Sequence, residues 1–388
     1  MGLPLEGVVV LEFTHTVMGP TCGLVLADLG ADVIRVEPAP EGDRTRRLHG
    51  FATGFFACFN RNKRCLCIDL KRSEGTAVAI ELVRKADVLI ENYGPGTMER
   101  LGLGWEQVRA VNDRLIYCAL KGFLPGPYEH RPALDEVAQF MTGLAYMTGP
   151  PGRPLRAGSS VIDIMGGVMG DVAILAALRA RDHDGQGRKV VSTLFESAAF
   201  LVAQHMAGEA ASGKPVPPMP ERESAWGIYE TFETKDERLF IGITSDNHWR
   251  SFCELFGRGD LLADPRFTTN NDRVRNRAAL REPVADIARR HDAVSLSAML
   301  DRAGIPFSPV NTPSDLFTDP QVLAHAVHVR MPSGQTVPLP PLPVSIDEQT
   351  PGLRMQPPAA GEHSDAVLSW AGYDPTQVAQ LRGARIIA

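Results

Sequence analysis

The strongest constraint on the fold is an alternation of short apolar runs with amphipathic stretches through the first third of the chain. Val8–Phe13 is a largely apolar run typical of a buried strand, and Gly19–Leu29 has helical periodicity that stops at Gly30. The same patterns predict strands at Asp32–Glu37, Asp87–Ile90 and Leu115–Leu120 and helices at Ser73–Lys85 and Trp105–Val111. Repeated strand, helix and strand units predict an α/β fold, with a Rossmann-like large domain built on a parallel sheet.

The turn after the first predicted strand lacks the signature of a dinucleotide site. Thr14–Pro20 contains no G-x-G-x-x-G, so a nicotinamide or flavin cofactor is not expected and an NAD-dependent reductase is disfavoured. The G-x-S-x-G nucleophile elbow and the H-E-x-x-H zinc motif are absent as well. We therefore predict no permanently bound cofactor and no metal site.

Charge and cysteine content limit the partners and the compartment. Acidic residues outnumber Lys and Arg by 46 to 40, a balance that does not indicate a nucleic-acid partner. The six cysteines show no C-x-x-C spacing, which favours reduced structural thiols. No secretory signal pattern occurs near Met1, and the apolar helix around Ile164–Leu178 is expected to be too short for a bilayer. We predict a cytoplasmic protein with no membrane partner.

A chain of 388 residues suits one large domain and one smaller domain. Gly213–Pro220 is too rich in proline for regular structure and is typical of a linker. We predict a large domain over residues 1–200, a linker over 201–225, a smaller α+β domain over 226–318 and a C-terminal tail over 319–388.

The first candidate for chemistry is Asp163, at the start of a long predicted helix from about Ile164 to Ala180. Nearby Gly166 and Gly167 would let a ligand approach the backbone. In one interpretation Asp163 is only the N-cap residue of the helix. In the other, the positive end of the helix keeps the carboxylate ionised, and an ionised carboxylate is a nucleophile. Spacing alone leaves both open.

Further candidates lie in turns near the ends of predicted strands, where open α/β sheets bind ligands. Glu91–Gly102 is rich in Gly and Pro, and Arg100 lies within it. Arg100, Lys71 and Lys121 could bind phosphate or could simply be solvated. His15 could act as a base, although a lone histidine is more often structural.

Seven segments of the sequence are weak signals singly but highly specific when their order and spacing are taken together. They are Leu11–Pro20, Leu29–Glu37, Asn60–Arg64, Asp69–Lys71, Ala86–Gly96, Val190–Glu196 and Gly361–Asp365. Together they resemble the family III CoA transferases, which include formyl-CoA transferase and carnitine CoA-transferase. The similarity runs along nearly the whole chain and favours Asp163 as a nucleophile.

The resemblance implies an interlocked homodimer and a large domain to which residues 319–388 return. Carried over by position, the CoA contacts would be Thr16, Val17, Met18, Leu70, Lys71, Asn92, Tyr93, Arg100 and Lys121. Many relatives have an Arg where this chain has Pro38, so Arg35 or Arg44 is predicted to replace that contact with the nucleotide phosphate.

The chemistry implied by the resemblance is covalent catalysis. Asp163 would attack the donor thioester to form an aspartyl–acyl anhydride, and the CoA thiolate would then form an aspartyl–CoA thioester. Asp135 would orient the substrate or polarise the site, and backbone N–H groups of Gly166 and Gly167 would stabilise the oxyanions. The expected substrates are acyl-CoA and small mono- or dicarboxylic acids.

Two departures from related sequences bear on alternatives. The 2-methylacyl-CoA racemases share the fold but use a His before an Asp, whereas here Leu134 precedes Asp135 and leucine carries no proton. Formyl-CoA transferase has a glycine-rich run where this chain has Glu221–Tyr229, in which Arg222 could pair with a distal carboxylate or be merely exposed. A non-catalytic CoA-binding protein would give no reason for Asp163. Donor, acceptor, pathway and any hydrolytic side activity stay open.

Overall fold

The structure is a computed structural model that describes residues 2–222 and 224–388. The described chain divides into two compact units, one formed by residues up to Pro220 together with Pro320–Ala388, the other by Glu221–Asp319. Within the predicted linker, residues 201–225, the preceding helix continues to Ser212. Its Ala-, Leu- and Glu-rich sequence favours helix until Gly213, which adopts the left-handed conformation that ends it.

A six-stranded parallel sheet lies at the centre of the larger unit, which confirms the predicted α/β class. Its strands are β1 (Val9–Phe13), β2 (Asp32–Pro38), β3 (Lys63–Ile68), β4 (Val88–Glu91), β5 (Ile116–Lys121) and β6 (Arg188–Thr193). Their order is β3-β2-β1-β4-β5-β6, so the strand order reverses between β1 and β4. Ligands of open α/β sheets bind at the carboxyl ends of strands near such a reversal.

Helices cover both faces of this sheet. They are α1 (Met18–Asp28), α2 (Phe55–Phe59), α3 (Ser73–Lys85), α4 (Thr97–Arg100), α5 (Trp105–Arg109), α6 (Asp135–Met141), α7 (Leu144–Thr148), α8 (Val161–Asp184) and α9 (Leu194–Ser212). Leu11 and Ile34 pack on the face covered by α3, whereas Val10 and Val33 pack on the face covered by α1 and α8. Successive strand residues are therefore buried on opposite faces, which explains their continuous apolar runs.

The smaller unit has its own sheet and core. Its elements are β7 (Ile228–Glu233), β8 (Arg238–Ile243), α10 (Asp246–Leu255), α11 (Gly259–Ala263), α12 (Asn270–Arg275), α13 (Arg277–Arg289), α14 (Ala293–Arg302) and β9 (Phe307–Pro309). The three strands form an antiparallel sheet, and Trp249 and Phe252 lie in the core beneath it. Arg222 of this unit is exposed.

The C-terminal tail packs on the sheet of the larger unit. It contains α15 (Pro320–Leu323), the antiparallel pair β10 (Val327–Arg330) and β11 (Thr336–Leu339), α16 (Ser364–Ala371) and α17 (Pro375–Gly383). The N–H of His363 donates to the carbonyl of Cys65 at 3.0 Å, and that of Asp69 donates to the carbonyl of Ile386 at 2.8 Å. Val367 of α16 is fully buried in the same core as β1 and β3.

Glycines of helix α8 face α1 and leave no space for side chains between the two helices at that point. A Cβ atom at Gly167 would lie 2.6 Å from the carbonyl oxygen of Met18, and one at Gly166 would lie 2.5 Å from the Met18 methyl group. Contacts that short do not occur with a side chain present, so these glycines allow the two backbones to approach. The approach places the first turn of α8 beside the loop that follows β1.

The expected length of this apolar helix was wrong. Helix α8 has 24 residues rather than the predicted core around Ile164–Leu178, so by length and composition alone it could cross a bilayer. The extra residues are the first turn before Ile164 and a polar last turn. Ile162 and Ile174 are fully buried against the sheet, whereas Val168, Val172 and Leu175 are exposed.

Candidate active site

A cavity of about 390 Å³ lies where the loops after β1, β4 and β5 meet the first turns of α6 and α8. It is the position that the sheet topology predicts for a ligand. Among the residues proposed from the sequence, those that line it are His15, Thr16, Val17, Met18, Asn92, Tyr93, Lys121, Asp135 and Asp163. Residues from five separate segments of the chain thus lie around one cavity.

Asp135 caps helix α8 from outside the helix. Its Oδ2 atom accepts hydrogen bonds from the backbone N–H groups of Ile162 at 2.8 Å and Asp163 at 3.1 Å. The other oxygen accepts from the Gln139 amide at 2.5 Å. Ser160 holds the N-cap position and its side chain makes no capping bond. The interpretation of Asp163 as the N-cap residue is therefore wrong, because Asp163 lies in the first turn and another carboxylate satisfies its N–H.

The carboxyl group of Asp163 is harder to ionise than an ordinary aspartate. Burial, followed by the negative charges of Asp135 and Glu136, raises its pKa to about 7 against an opposing effect of Arg156. The expectation that the helix end keeps this carboxylate ionised is wrong, because Asp135 already occupies the first N–H groups. Near neutral pH, protonated and ionised Asp163 coexist.

Gly166 and Gly167 do not supply an oxyanion site. They are the sixth and seventh residues of α8, where backbone N–H groups donate to carbonyl groups four residues earlier in the helix. Both are buried against Met18 of α1. The predicted role of their N–H groups in stabilising oxyanions is wrong, and the structure gives these glycines a packing role instead.

Arg35 lies in the protein interior rather than at the cavity. It is fully buried, and its guanidinium donates to Glu12 at 2.5 Å, to Glu37 at 2.9 Å and to Asp43. The prediction that Arg35 replaces the missing phosphate contact is wrong, since its donors bind carboxylates out of reach of a ligand. Arg44, the alternative, is exposed.

The loop after β1 is held by this buried cluster. Asp43 accepts a hydrogen bond from the Thr45 hydroxyl at 2.9 Å, and the Thr45 oxygen accepts from the N–H of Thr16 at 3.1 Å. Thr16 has a φ of 68°, a left-handed conformation that costs free energy for a β-branched residue. On the other side, Asn92 both accepts from the N–H of His15 at 3.0 Å and donates to its carbonyl at 2.9 Å. The loop is thereby fixed between β2 and β4.

Lys121, Glu91 and Tyr93 form a polar cluster on the β4 and β5 side of the cavity, and His15 from the loop after β1 packs against it. Lys121 Nζ lies 2.6 Å from Glu91 and donates to the carbonyl of Tyr93 at 2.7 Å. His15 stacks on the Tyr93 ring with centroids 5.9 Å apart, and burial lowers its pKa, so the imidazole is neutral near pH 7. Burial raises the pKa of Tyr93 to about 12, which keeps its hydroxyl protonated.

The structure does not bring every predicted CoA contact to the cavity. Leu70 packs against the core, Lys71 is exposed, and Arg100 is exposed with its guanidinium bonded to Thr97 at 2.8 Å. Sequence reasoning missed other lining residues, among them Phe51, Phe55, Arg131, Glu136 and Arg156. They lie in loops or first turns without a local pattern that would mark them.

Glu37, Cys65 and Cys67 have ligand atoms within 4.8 Å of one another and so could suit a metal ion. Both oxygens of Glu37, however, are already bonded, one to Arg35 and Arg46 and the other to Arg46 and the N–H of Asp43. Two guanidinium cations beside the carboxylate would repel a further cation. This cluster therefore fits a structural role better than a metal site.

Known proteins of one kind resemble this chain along nearly its whole length. The model of CoA-transferase family III matches residues 5–364. Acetyl-CoA:oxalate CoA-transferase of Acetobacter aceti is 32% identical over 91% of this chain and 95% of its own length. Succinate–glutarate CoA-transferase of Agrobacterium fabrum is 32% identical over 94% of this chain and 95% of its own. A CAIB/BAIF family protein from Brucella suis has a solved structure with a TM-score of 0.84 at 34% identity, covering 96% of this chain and 100% of that one.

Because the pKa of Asp163 is raised in the folded protein, we expect the free energy of unfolding to depend on pH. Folding keeps a proton on Asp163 that the unfolded chain loses above a pKa of about 3.9. The wild-type chain should therefore lose stability, relative to Asp163→Asn, as the pH rises from about 4 to about 7, by roughly 2–4 kcal/mol. Urea unfolding of both proteins across this range measures the difference.

The matched control is Asp182→Asn, which changes an exposed aspartate near the other end of α8. Its difference from the wild type should stay flat over the same pH range. A flat difference for Asp163→Asn as well would contradict the raised pKa.

Proposed function

This chain belongs to CoA-transferase family III, and from that premise we propose that Asp163 carries the acyl group while CoA moves from an acyl-CoA thioester to a carboxylic acid. The observation that carries the proposal is the carboxyl group of Asp163, which lines the cavity with a pKa raised to about 7. A carboxylate of that basicity is a stronger nucleophile than an ordinary aspartate and is still ionised in many molecules at neutral pH.

The proposed reaction has four steps at Asp163. Its carboxylate attacks the donor thioester carbonyl, an anhydride forms, the C–S bond breaks and CoA leaves as thiolate. The thiolate attacks the Asp163 carbonyl of the anhydride, giving an aspartyl–CoA thioester and the free donor acid. The acceptor carboxylate attacks the aspartyl–CoA thioester, which forms an anhydride between the acceptor and Asp163 and releases the CoA thiolate. The thiolate then attacks the acceptor acyl carbon, which yields the new acyl-CoA and restores Asp163. No proton is consumed, so the site mainly supplies position and charge stabilisation.

Acyl-CoA and small mono- or dicarboxylic acids are the proposed substrates. Two relatives are named for oxalate and for succinate and glutarate, which supports small acids. The loops that carry Thr16–Met18, Asn92–Tyr93 and Lys121 form the cavity wall along which CoA would lie. Contacts of Leu70, Lys71 and Arg100 with the nucleotide end of CoA remain predictions.

A racemase is the second candidate because a neutral imidazole, His15, and a carboxylic acid, Asp163, line the same cavity. Leu134 lines it as well and is 66% exposed, but its side chain cannot transfer a proton. Uptake of deuterium at the α-carbon of a 2-methylacyl-CoA, without CoA transfer, would favour this candidate over the first.

We also propose a homodimer, because helices α8 and α9 expose a large apolar surface. The exposed side chains are Val168, Val172, Leu175, Phe200 and Met206. Apolar patches of this kind on a soluble protein mark association surfaces.

In sedimentation velocity the wild type should run as a dimer and Phe200→Glu should shift towards monomer. Val294→Glu, at an exposed apolar residue of the smaller unit, should not shift it, and a wild-type monomer at micromolar concentration would contradict the proposal.

Removing the nucleophile tests the proposed transfer directly. Asp163→Ala and Asp163→Asn should lower kcat for CoA transfer by about 10³-fold or more, since neither side chain can form the anhydride.

In the wild type, kcat/KM should fall about tenfold for each pH unit below about 7, because only ionised Asp163 attacks. Chromatography of acyl-CoAs after mixing succinyl-CoA with glutarate or acetate measures both effects.

Asp182→Asn is again the control and should transfer CoA at the wild-type rate. If Asp163→Ala kept kcat within tenfold of the wild type, another group would carry the acyl chain and the proposal would fail.

A further inference from the structure

One guanidinium group in the cavity lining has no anionic partner among residues 2–222 and 224–388. The lining includes Lys121, Arg131 and Arg156. Lys121 is paired with Glu91 at 2.6 Å and Arg156 with Glu136 at 2.5 Å. Within the described part of the chain no carboxylate lies within ion-pair distance of Arg131, which is exposed, and its guanidinium lies over the Tyr128 ring, 4.9 Å from the ring centroid.

We propose that Arg131 binds the distal carboxylate of a short dicarboxylate whose other carboxyl group reacts at Asp163. This inference rests on the proposed function and adds to it the residue that selects the substrate class. Guanidinium stacked on an aromatic ring keeps the N–H groups along its edge, where they can bind a carboxylate in bidentate fashion.

The position of Arg131 is fixed by an aromatic cluster. The backbone N–H of Arg131 donates to the carbonyl of Tyr128 at 2.9 Å. The Tyr128 ring packs edge-on against Phe123, with ring centroids 5.7 Å apart, and against Phe195, with centroids 6.3 Å apart. The exposed Arg131 guanidinium, placed over this ring, loses less conformational entropy when a ligand binds than a side chain without such a contact.

The segment that carries Arg131 is also tied to the reactive carboxylate. A Cβ atom at Gly122 would lie 2.4 Å from the Cβ of Ala133, so this glycine lets the segment lie against the end of β5. Asp135, four residues after Arg131, is bonded to the N–H of Asp163. Four residues span at most about 14 Å even when extended. Arg131 and Asp163 therefore line the same cavity. They are connected through Asp135 by a short stretch of chain.

Charge balance favours a dicarboxylate as the ligand. Besides Asp163, the cavity lining already contains the carboxylates of Glu129, Asp135 and Glu136. When one end of a dicarboxylate becomes an acyl group, its other end adds a negative charge to these surroundings and needs a cation nearby. Lys121 and Arg156 already neutralise other groups, which leaves Arg131. A monocarboxylate brings no such charge and should not depend on Arg131.

The test compares acceptors that differ only in the distal carboxylate. With acetyl-CoA as common donor, Arg131→Gln should raise KM for succinate and glutarate by about 10- to 100-fold, the loss expected for a charged hydrogen-bond pair. KM for butyrate and for acetyl-CoA should stay within about twofold. Arg131→Lys, which keeps the charge but not the bidentate geometry, should fall between. Arg153→Gln, at an exposed arginine outside the cavity lining, should change neither.

Several outcomes would overturn the inference. Equal loss with butyrate and succinate would mean a structural role, and a raised KM for acetyl-CoA alone would mean that Arg131 binds a CoA phosphate. A wild-type enzyme that accepts butyrate but neither dicarboxylate would also refute it while leaving the proposed transfer intact. A wild type that transfers CoA to no acid would instead refute the proposed function itself.

Discussion

The site depends on one interaction, the capping of helix α8 by the carboxylate of Asp135. Two N–H groups of the first turn of the helix bond to a single oxygen of Asp135. The positive end of the helix therefore stabilises the negative charge of Asp135 rather than that of Asp163. Asp163 is half-buried beside two other carboxyl groups, and its pKa is raised to about 7. A group of that pKa is basic enough to attack a thioester and is still partly ionised at neutral pH, which is the compromise that covalent catalysis by a carboxylate requires.

A second constraint, beneath the cavity, fixes the loop that faces this carboxylate. Arg35 joins Glu12, Glu37 and Asp43 in the interior, and Asp43 positions Thr16 through the Thr45 hydroxyl. Loss of one member would leave an unpaired buried charge, which typically costs about 3–5 kcal/mol. This network holds Thr16 in its left-handed conformation, so the loop is positioned by the chain itself. In the proposed transfer, a wall positioned in this way would lower the cost of placing the reacting groups at Asp163.

Local patterns predicted the parallel sheet, its flanking helices and the position of Asp163 at a helix start, because periodicity and terminator residues act within a few positions. They did not predict what depends on distant partners. The cap on α8 comes from a residue 28 positions earlier, and Arg35 looks like a phosphate ligand until the strands around it are assembled. Glycine has the same sequence signature whether it admits a ligand or a neighbouring helix, which is why Gly166 and Gly167 were assigned the wrong role. Arg131 carries no local signal and becomes informative only when its neighbours in the cavity are seen to be paired.

The most direct test of the central claim is chemical trapping of the acyl group on Asp163. The wild-type enzyme is mixed with succinyl-CoA, quenched with hydroxylamine and digested, and its peptides are sequenced by mass spectrometry. We expect a hydroxamate at Asp163, absent from Asp163→Ala, with a yield that rises as the pH approaches and passes about 7. Turnover by the wild type with no hydroxamate at Asp163, or with the adduct on Asp135 or Glu136 instead, would contradict it.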